Sequence, residues 1–231
     1  MKPYSLLLAL ALLRPFAVVA QGTFRNMDFE QAQIPQDQPR GVVSADLAFP
    51  FWSVYYGNQP TNAVHWNETS VGATEASLIG LSYAFGTLGG GYSAYLWGGP
   101  TACSLGQVGQ IPTDAASILF KARGSPSLLP EVTIGGVSLP LFNVSSGPNY
   151  TIYGVNVSQF AGMQEDLRFT SLPLSFSGPY AFELDDIVFS TTPVPEPTTG
   201  ALSAIGGLLL GSRILRRTAP TKKAPTVKVS A

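Results

Sequence analysis

The chain has 231 residues, of which 45% are hydrophobic and only 12% charged, against roughly 25% charged in ordinary soluble domains. That length suits one substantial domain plus terminal signals; the 24 glycines and 19 prolines point to many turns and little helix, and the single cysteine, Cys103, excludes an intramolecular disulfide. The net charge of −1 hides a segregation, because all 14 acids but only five of the 13 bases lie between Gln21 and Glu196, and so acidic a body repels phosphate backbones and argues against nucleic-acid binding.

Residues 1–20 begin with Lys2, continue through an apolar run from Leu6 to Leu13, and end in Val18-Val19-Ala20. A basic start, a short apolar stretch and small residues before a cleavage point are the layout of a secretory signal peptide cut after Ala20. The run is too short to span a bilayer.

Residues 21–191 show no long helical periodicity. Short β-rich runs alternate with Gly, Pro, Asn or Ser instead. The expected strands are 23–29, 51–56, 76–84, 92–97, 106–111, 117–122, 131–134, 137–142, 151–155, 166–171 and 180–190. Gly135-Gly136 supplies the positive φ of a tight hairpin turn. Gly89-Gly90-Gly91 has no helix start after it and reads as a hairpin turn, not a phosphate cradle. One helical turn capped by Ser158 is expected near "NVSQFAGMQ". Ile118, Phe120, Val132, Ile134, Val137, Leu139, Leu167 and Phe169 alternate as core residues. In the last run Phe182, Leu184 and Val188 share one face while Ile187 and Phe189 share the other. Either both faces are partly buried there, or a bulge near Asp185-Asp186 shifts the register. So many short strands imply an all-β jelly-roll sandwich of about 8–11 strands.

Residues 192–217 carry Pro195-Glu196-Pro197, an apolar stretch at 200–215, and Arg213, Arg216 and Arg217. The prolines stop any helix from running back into the body. Glycines at 206, 207 and 211 suit a membrane helix better than a soluble one, so a short transmembrane helix is expected. Residues 218–231 form a basic, disordered tail.

This end resembles the PEP-CTERM sorting signal of exported bacterial proteins: a Pro-Glu-Pro motif, an apolar segment and an arginine cluster in fixed order, paired with a signal peptide. The resemblance implies transient anchoring in the inner membrane and processing by an exosortase near Pro195, Glu196 and Pro197. Members usually stop soon after the arginines, whereas "TAPTKKAPTVKVSA" adds 14 residues here.

The body resembles galactose-binding-like jelly rolls of carbohydrate-binding modules and exported surface proteins. "GTFRNMDFE" is similar to their opening strand, "FPFWSVYYG" to the Trp-containing strand that follows, and "FELDDIVFS" to the closing strand. By that resemblance Glu30 and one of Asp185 and Asp186 are candidates for a structural Ca²⁺ site, with backbone carbonyls completing an oxygen shell.

Little points to catalysis. His65 is the only histidine, so any Ser-His-Asp triad would need it. There is no Gly-x-Ser-x-Gly and no His-Glu-x-x-His. Cys103 reads as a buried or loop thiol. Among the aromatic residues, Trp52 and Trp97 read as core, and Tyr55, Tyr56 and Trp66 as the better candidates to stack on sugar rings. Asn67, Asn143, Asn149 and Asn156 begin Asn-x-Ser/Thr tripeptides, which in a bacterial protein are chance features. The expectation is a non-enzymatic exported protein of the cell envelope or extracellular matrix. Its partners are an exosortase and the inner membrane in transit. The alternative is a carbohydrate-binding module that recognises extracellular polysaccharide.

Overall fold

The computed structural model describes residues 22–69, 73–124, 129–173 and 180–194. The chain divides into two units, 1–193 and 194–231. The β body is the first. The sorting motif, the apolar segment and the signal peptide lie outside the described residues. Among the described residues no helix is long and apolar enough to cross a membrane.

The strands follow in chain order: β1 Gly41–Ser44, β2 Ser53–Tyr56, β3 Gln59–Thr61, β4 Ala63–Trp66, β5 Glu75–Gly80, β6 Tyr92–Gly98 and β7 Cys103–Gln110. Then come β8 Ser117–Arg123, β9 Glu131–Ile134, β10 Val137–Leu139, β11 Phe142–Ser146, β12 Thr151–Asn156, β13 Gln164–Ser171 and β14 Tyr180–Ser190. A single helical turn, α1 Ala45–Ala48, follows β1. It is capped by Ser44, whose side chain accepts from the Asp46 N–H.

These strands form an eight-stranded sheet, β1-β4-β5-β6-β14-β8-β12-β11, and a six-stranded sheet, β10-β9-β13-β7-β2-β3. The result is the expected all-β sandwich. From β6 onward the chain crosses repeatedly between the sheets, the connectivity of a jelly roll. Pairing is antiparallel except for β4 with β5. Phe120 of β8 and Phe169 of β13 meet edge to face across the sandwich at 5.1 Å. Trp52 and Phe29 extend the aromatic chain, at 6.4 Å from Phe169 and 5.8 Å from Trp52 respectively.

The Gly135-Gly136 turn joins β9 to β10 with φ of +56° and +80°, and Ile134 pairs with Val137 across it. Val137 is half exposed because β10 is the sheet's outermost strand and the turn lifts its first residue beyond the core. The other seven expected core residues are buried. On β14 the register shifts between Asp185 and Val188, and Asp186 takes a left-handed φ of +48°. The bulge turns Phe182, Leu184, Ile187 and Phe189 all inward, and all four are buried.

Three expectations are corrected. Residues 23–29 form no strand. Asn26 and Phe29 have φ of +52° and +59°, which no extended strand accommodates. Side chains satisfy this backbone instead: Gln107 accepts from the Arg25 N–H at 2.7 Å and donates to the Arg25 carbonyl at 2.9 Å. The 137–142 run splits into β10 and the start of β11 at Pro140, which has no N–H to donate to a ladder. The turn near 158 is a 3-10 turn, Ser158–Phe160, preceded by Val157 with no side-chain cap.

Candidate functional site

The six-stranded sheet turns Val54, Leu105, Leu167 and Phe169 into the core. Alternation therefore points Tyr55, Gly106, Asp166 and Arg168 outward. The register brings them together, since Ser53 pairs with Gly106 and Gly106 with Arg168. The Arg168 guanidinium lies 4.2 Å from the centre of the Tyr55 ring, a cation–π contact. The same guanidinium donates to Asp166 Oδ2 at 2.7 Å. A Cβ on Gly106 would sit 3.1 Å from Asp166 Oδ1, 3.3 Å from Arg168 Nε and 3.5 Å from Tyr55 Cε2. A side chain at 106 would crowd the ring, guanidinium and carboxylate, and glycine leaves that room. At the β2–β3 edge of this sheet a depression of about 310 Å³ is lined by Asp46, Trp52, Ser53, Pro60, Thr61 and Asn62, among others. Asn62 Oδ1 accepts from Ser44 Oγ and from the Asp46 N–H.

The other two sugar candidates are engaged in the fold. Tyr56 faces the interior, where its hydroxyl donates to the Ala63 carbonyl at 3.3 Å and accepts from the Ala76 N–H at 3.2 Å. Burial pushes its phenol up to about 12. Trp66 packs on Tyr92 at 5.9 Å and donates its indole N–H to the Gln38 carbonyl at 3.3 Å. Of the three, Tyr55 alone belongs to an outward platform.

The outward face of the eight-stranded sheet is a polar layer. Here β14 and β8 place acids opposite bases, Glu183 against Arg123 and Asp185 against Lys121. Arg123 Nε donates to Glu183 Oε2 at 2.9 Å, and Nη2 of the same guanidinium reaches the same oxygen. Arg123 also donates to the Phe85 and Gly86 carbonyls, pinning the loop at 81–91 to the sheet. Burial raises the Glu183 carboxyl despite the opposing Arg123 charge. The buried Asp185 accepts from Ser93 Oγ at 3.0 Å and from the Asp186 N–H at 2.7 Å.

The three calcium candidates flank the 89–91 turn. Glu30 Oε1 accepts from the Gly91 and Tyr92 N–H groups at 2.8 and 3.0 Å. Asp185 and Asp186 lie at the other end of the turn, beside Gly89. Lys121 Nζ is 2.5 Å from Asp186 Oδ2 and sits 4.8 Å from the centre of the Tyr150 ring. The hydrogen bond to Asp186 raises the lysine's pKa. A calcium shell needs roughly six to eight oxygen ligands, and Glu30 Oε1, both Asp185 oxygens and Asp186 Oδ2 are already engaged by N–H, O–H and ammonium donors. Among the described residues no group of three or more His, Cys, Asp or Glu is placed to hold a metal ion. As placed, the donor set does not fit calcium, and the Lys121 ammonium supplies the positive charge.

His65 lies on β4 with Nδ1 3.4 Å from Glu68 Oε2; Ser77, its register partner on β5, donates its hydroxyl to the Glu68 carbonyl at 2.7 Å. Cys103 is fully buried, and burial pushes its thiol up, which disfavours the reactive thiolate. Trp97 departs from the expectation of a core residue. It is half-buried on the outward face of β6, while its neighbour Leu96 points into the core. Strict alternation along 92–97 carried that signal. The other residues that sequence alone missed, Arg168, Asp166 and Gly106, come together only through strand pairing.

No protein-family model and no curated protein matches the chain. Among solved structures the chain is similar to a cyclase from Fischerella sp. in its apo form, with 12% identity over 76% of this chain and 97% of that one and a TM-score of 0.42. It is similar to a cyclase from Fischerella sp. TAU, with 13% identity over 74% and 96% and a TM-score of 0.43. It is also similar to the carbohydrate-binding module TmCBM61 in complex with beta-1,4-galactotriose, with 12% identity over 74% and 98% and a TM-score of 0.36.

Proposed function

We propose that this chain is an exported, non-enzymatic protein of the cell envelope or extracellular matrix that holds extracellular polysaccharide on the outward face of its six-stranded sheet. The observation that carries the proposal is the Tyr55–Arg168–Asp166 platform over Gly106. A sugar ring presents an apolar C–H face and a rim of hydroxyls. A flat aromatic ring meets the first, and an adjacent guanidinium and carboxylate supply the donors and acceptors for the second. The depression at the β2–β3 edge adds further polar groups, Asp46, Ser53 and Asn62. The layout of residues 1–20 supports export. The Pro-Glu-Pro and arginine pattern supports sorting through the inner membrane by an exosortase. The buried thiol of Cys103, and the Ser77 hydroxyl beside His65 being given to a backbone carbonyl, support a binding role over a catalytic one.

A glycan array probed with the exported protein isolated from its host tests this. Binding to at least one polysaccharide is expected, weakened about tenfold or more by Tyr55→Ala, the scale of one lost stacking contact and its hydrogen bonds. Trp66→Phe, which changes a packed residue, leaves it intact. An array with no bound glycan, or binding indifferent to Tyr55→Ala, would overturn the proposal.

A further inference from the structure

Strand alternation puts Tyr95 and Trp97 on the same face of β6, directed away from the core, with ring centres 6.3 Å apart. Across the ladder, Glu183 of β14 stands opposite Tyr95, and Glu75 of β5 stands opposite Trp97. Both acids are buried, yet the two rings are only half-buried, so the group is reached from solvent over the aromatic rims.

Two atoms in this group are left over. The Trp97 indole N–H is buried and has no acceptor among the described residues. Glu183 Oε1 is buried and makes no hydrogen bond: Arg123 engages Oε2, and the nearby Ser93 hydroxyl gives its proton to Asp185 Oδ2. Nearly all buried polar groups in native proteins find a partner, and leaving one unmet carries the full cost of stripping its water. Here a donor and an acceptor are unmet on adjacent strands, on either side of one tyrosine ring. We propose that this half-buried group on the sheet face is a second binding site, separate from the Tyr55 face, for a neutral polyhydroxylated molecule: one sugar residue or a polyol. A hydroxyl group both donates and accepts, so two neighbouring hydroxyls answer Glu183 and Trp97 together while the carbon frame lies against Tyr95. The buried acids repel an anionic sugar. An ammonium ion can donate to Glu183 but has no lone pair for the indole N–H.

The test follows the indole N–H resonance of Trp97 by ¹H–¹⁵N NMR in the exported protein, assigned by its loss in Trp97→Phe. The probes are methyl pyranosides of gluco, galacto and manno configuration, with the matched uronates. A saturable shift of the Trp97 signal with a neutral pyranoside, and none with its uronate, is expected. Calorimetry on Trp97→Phe, which keeps an aromatic ring but loses the donor, gives binding weaker by about tenfold. Tyr55→Ala leaves the Trp97 shift unchanged, so this site and the polysaccharide face stand or fall separately. If no neutral pyranoside moves the Trp97 resonance, as for a face that meets only water, the proposal fails. Equal affinity in Trp97→Phe overturns it as well.

Discussion

Asp185 is a carboxyl group in a place that disfavours its charge. Burial is the dominant cause, and the neighbouring Asp186 charge adds to it. The Asp186 N–H, Ser93 and Lys121 pull the other way, and the balance leaves the group at about 8. The unfolded chain releases this proton near the ordinary carboxylate value of about 3.9. Between about pH 4 and pH 8 the folded protein therefore holds a proton that the unfolded chain has lost. Stability from this residue falls as pH rises through that window, with a slope of up to about 1.4 kcal/mol per unit. Asp185→Asn keeps the shape and removes the titration. Its melting temperature should decline less between pH 5 and pH 8 than that of the unaltered protein, and parallel pH profiles would show that Asp185 is not protonated there. The sequence marked Asp185 and Asp186 as adjacent acids. It held no sign that Ser93 and Lys121, far off in the chain, would meet them. Tyr56 and Trp66 stood out as sugar candidates for the same reason that they pack well, since a large ring with one polar tip serves either use.

At the scale of elements, the strongest local signals match the structure, while the 23–29 run and the turn at 158 do not. The Gly135-Gly136 hairpin declares itself because only a narrow set of residues adopts that turn. The β14 bulge was visible as a break in alternation, one of two alternatives left open. By contrast β1, β3 and β4 are three or four residues long, and β3 contains Pro60. Runs so short do not establish a period, and only their neighbours hold them as strands. The clamp on the 81–91 loop was likewise invisible, because Lys121 and Arg123 of β8 act across the sheet. That clamp makes a prediction about calcium. If the Lys121 ammonium is the cation of this site, millimolar calcium and EGTA should give the same melting temperature. Lys121→Met should cost about 1 kcal/mol, the scale of a partly exposed ion pair, or roughly 2–4 °C for a domain of this size. Thermal stabilisation of the unaltered protein by calcium would restore the oxygen-shell expectation for Glu30, Asp185 and Asp186.

For the whole molecule, period-two alternation and dense Gly/Pro punctuation were enough for the sandwich. They did not say which sheet each strand joins. Crossovers such as β6 to β7 and β7 to β8 are fixed by burial of two faces at once and leave no local mark. The Tyr55 platform and the Tyr95–Trp97 group both depend on that topology, so neither was legible as a unit. Charge, in contrast, is a property of the whole that the sequence displays directly. The acids belong to the body, and eight of the 13 bases belong to the two ends. Cleavage after Ala20, as proposed, would remove Lys2 and Arg14, and processing near Pro195 would remove Arg213, Arg216, Arg217, Lys222, Lys223 and Lys228. The protein that reaches the cell surface would then keep five bases, and its isoelectric point would fall below the 5.8 of the full chain. A strongly acidic surface stays soluble and is repelled by anionic polymers, which fits the preference for neutral sugars proposed for the Tyr95–Trp97 face. Intact-mass spectrometry of the protein recovered from its host reads both ends in one measurement. A first residue at Gln21 and a last residue near Pro195-Glu196-Pro197 are expected, with isoelectric focusing below 5.8. A C-terminus still at Ala231 would show that the basic segment is kept, and that the molecule works as an anchored protein with a cationic end.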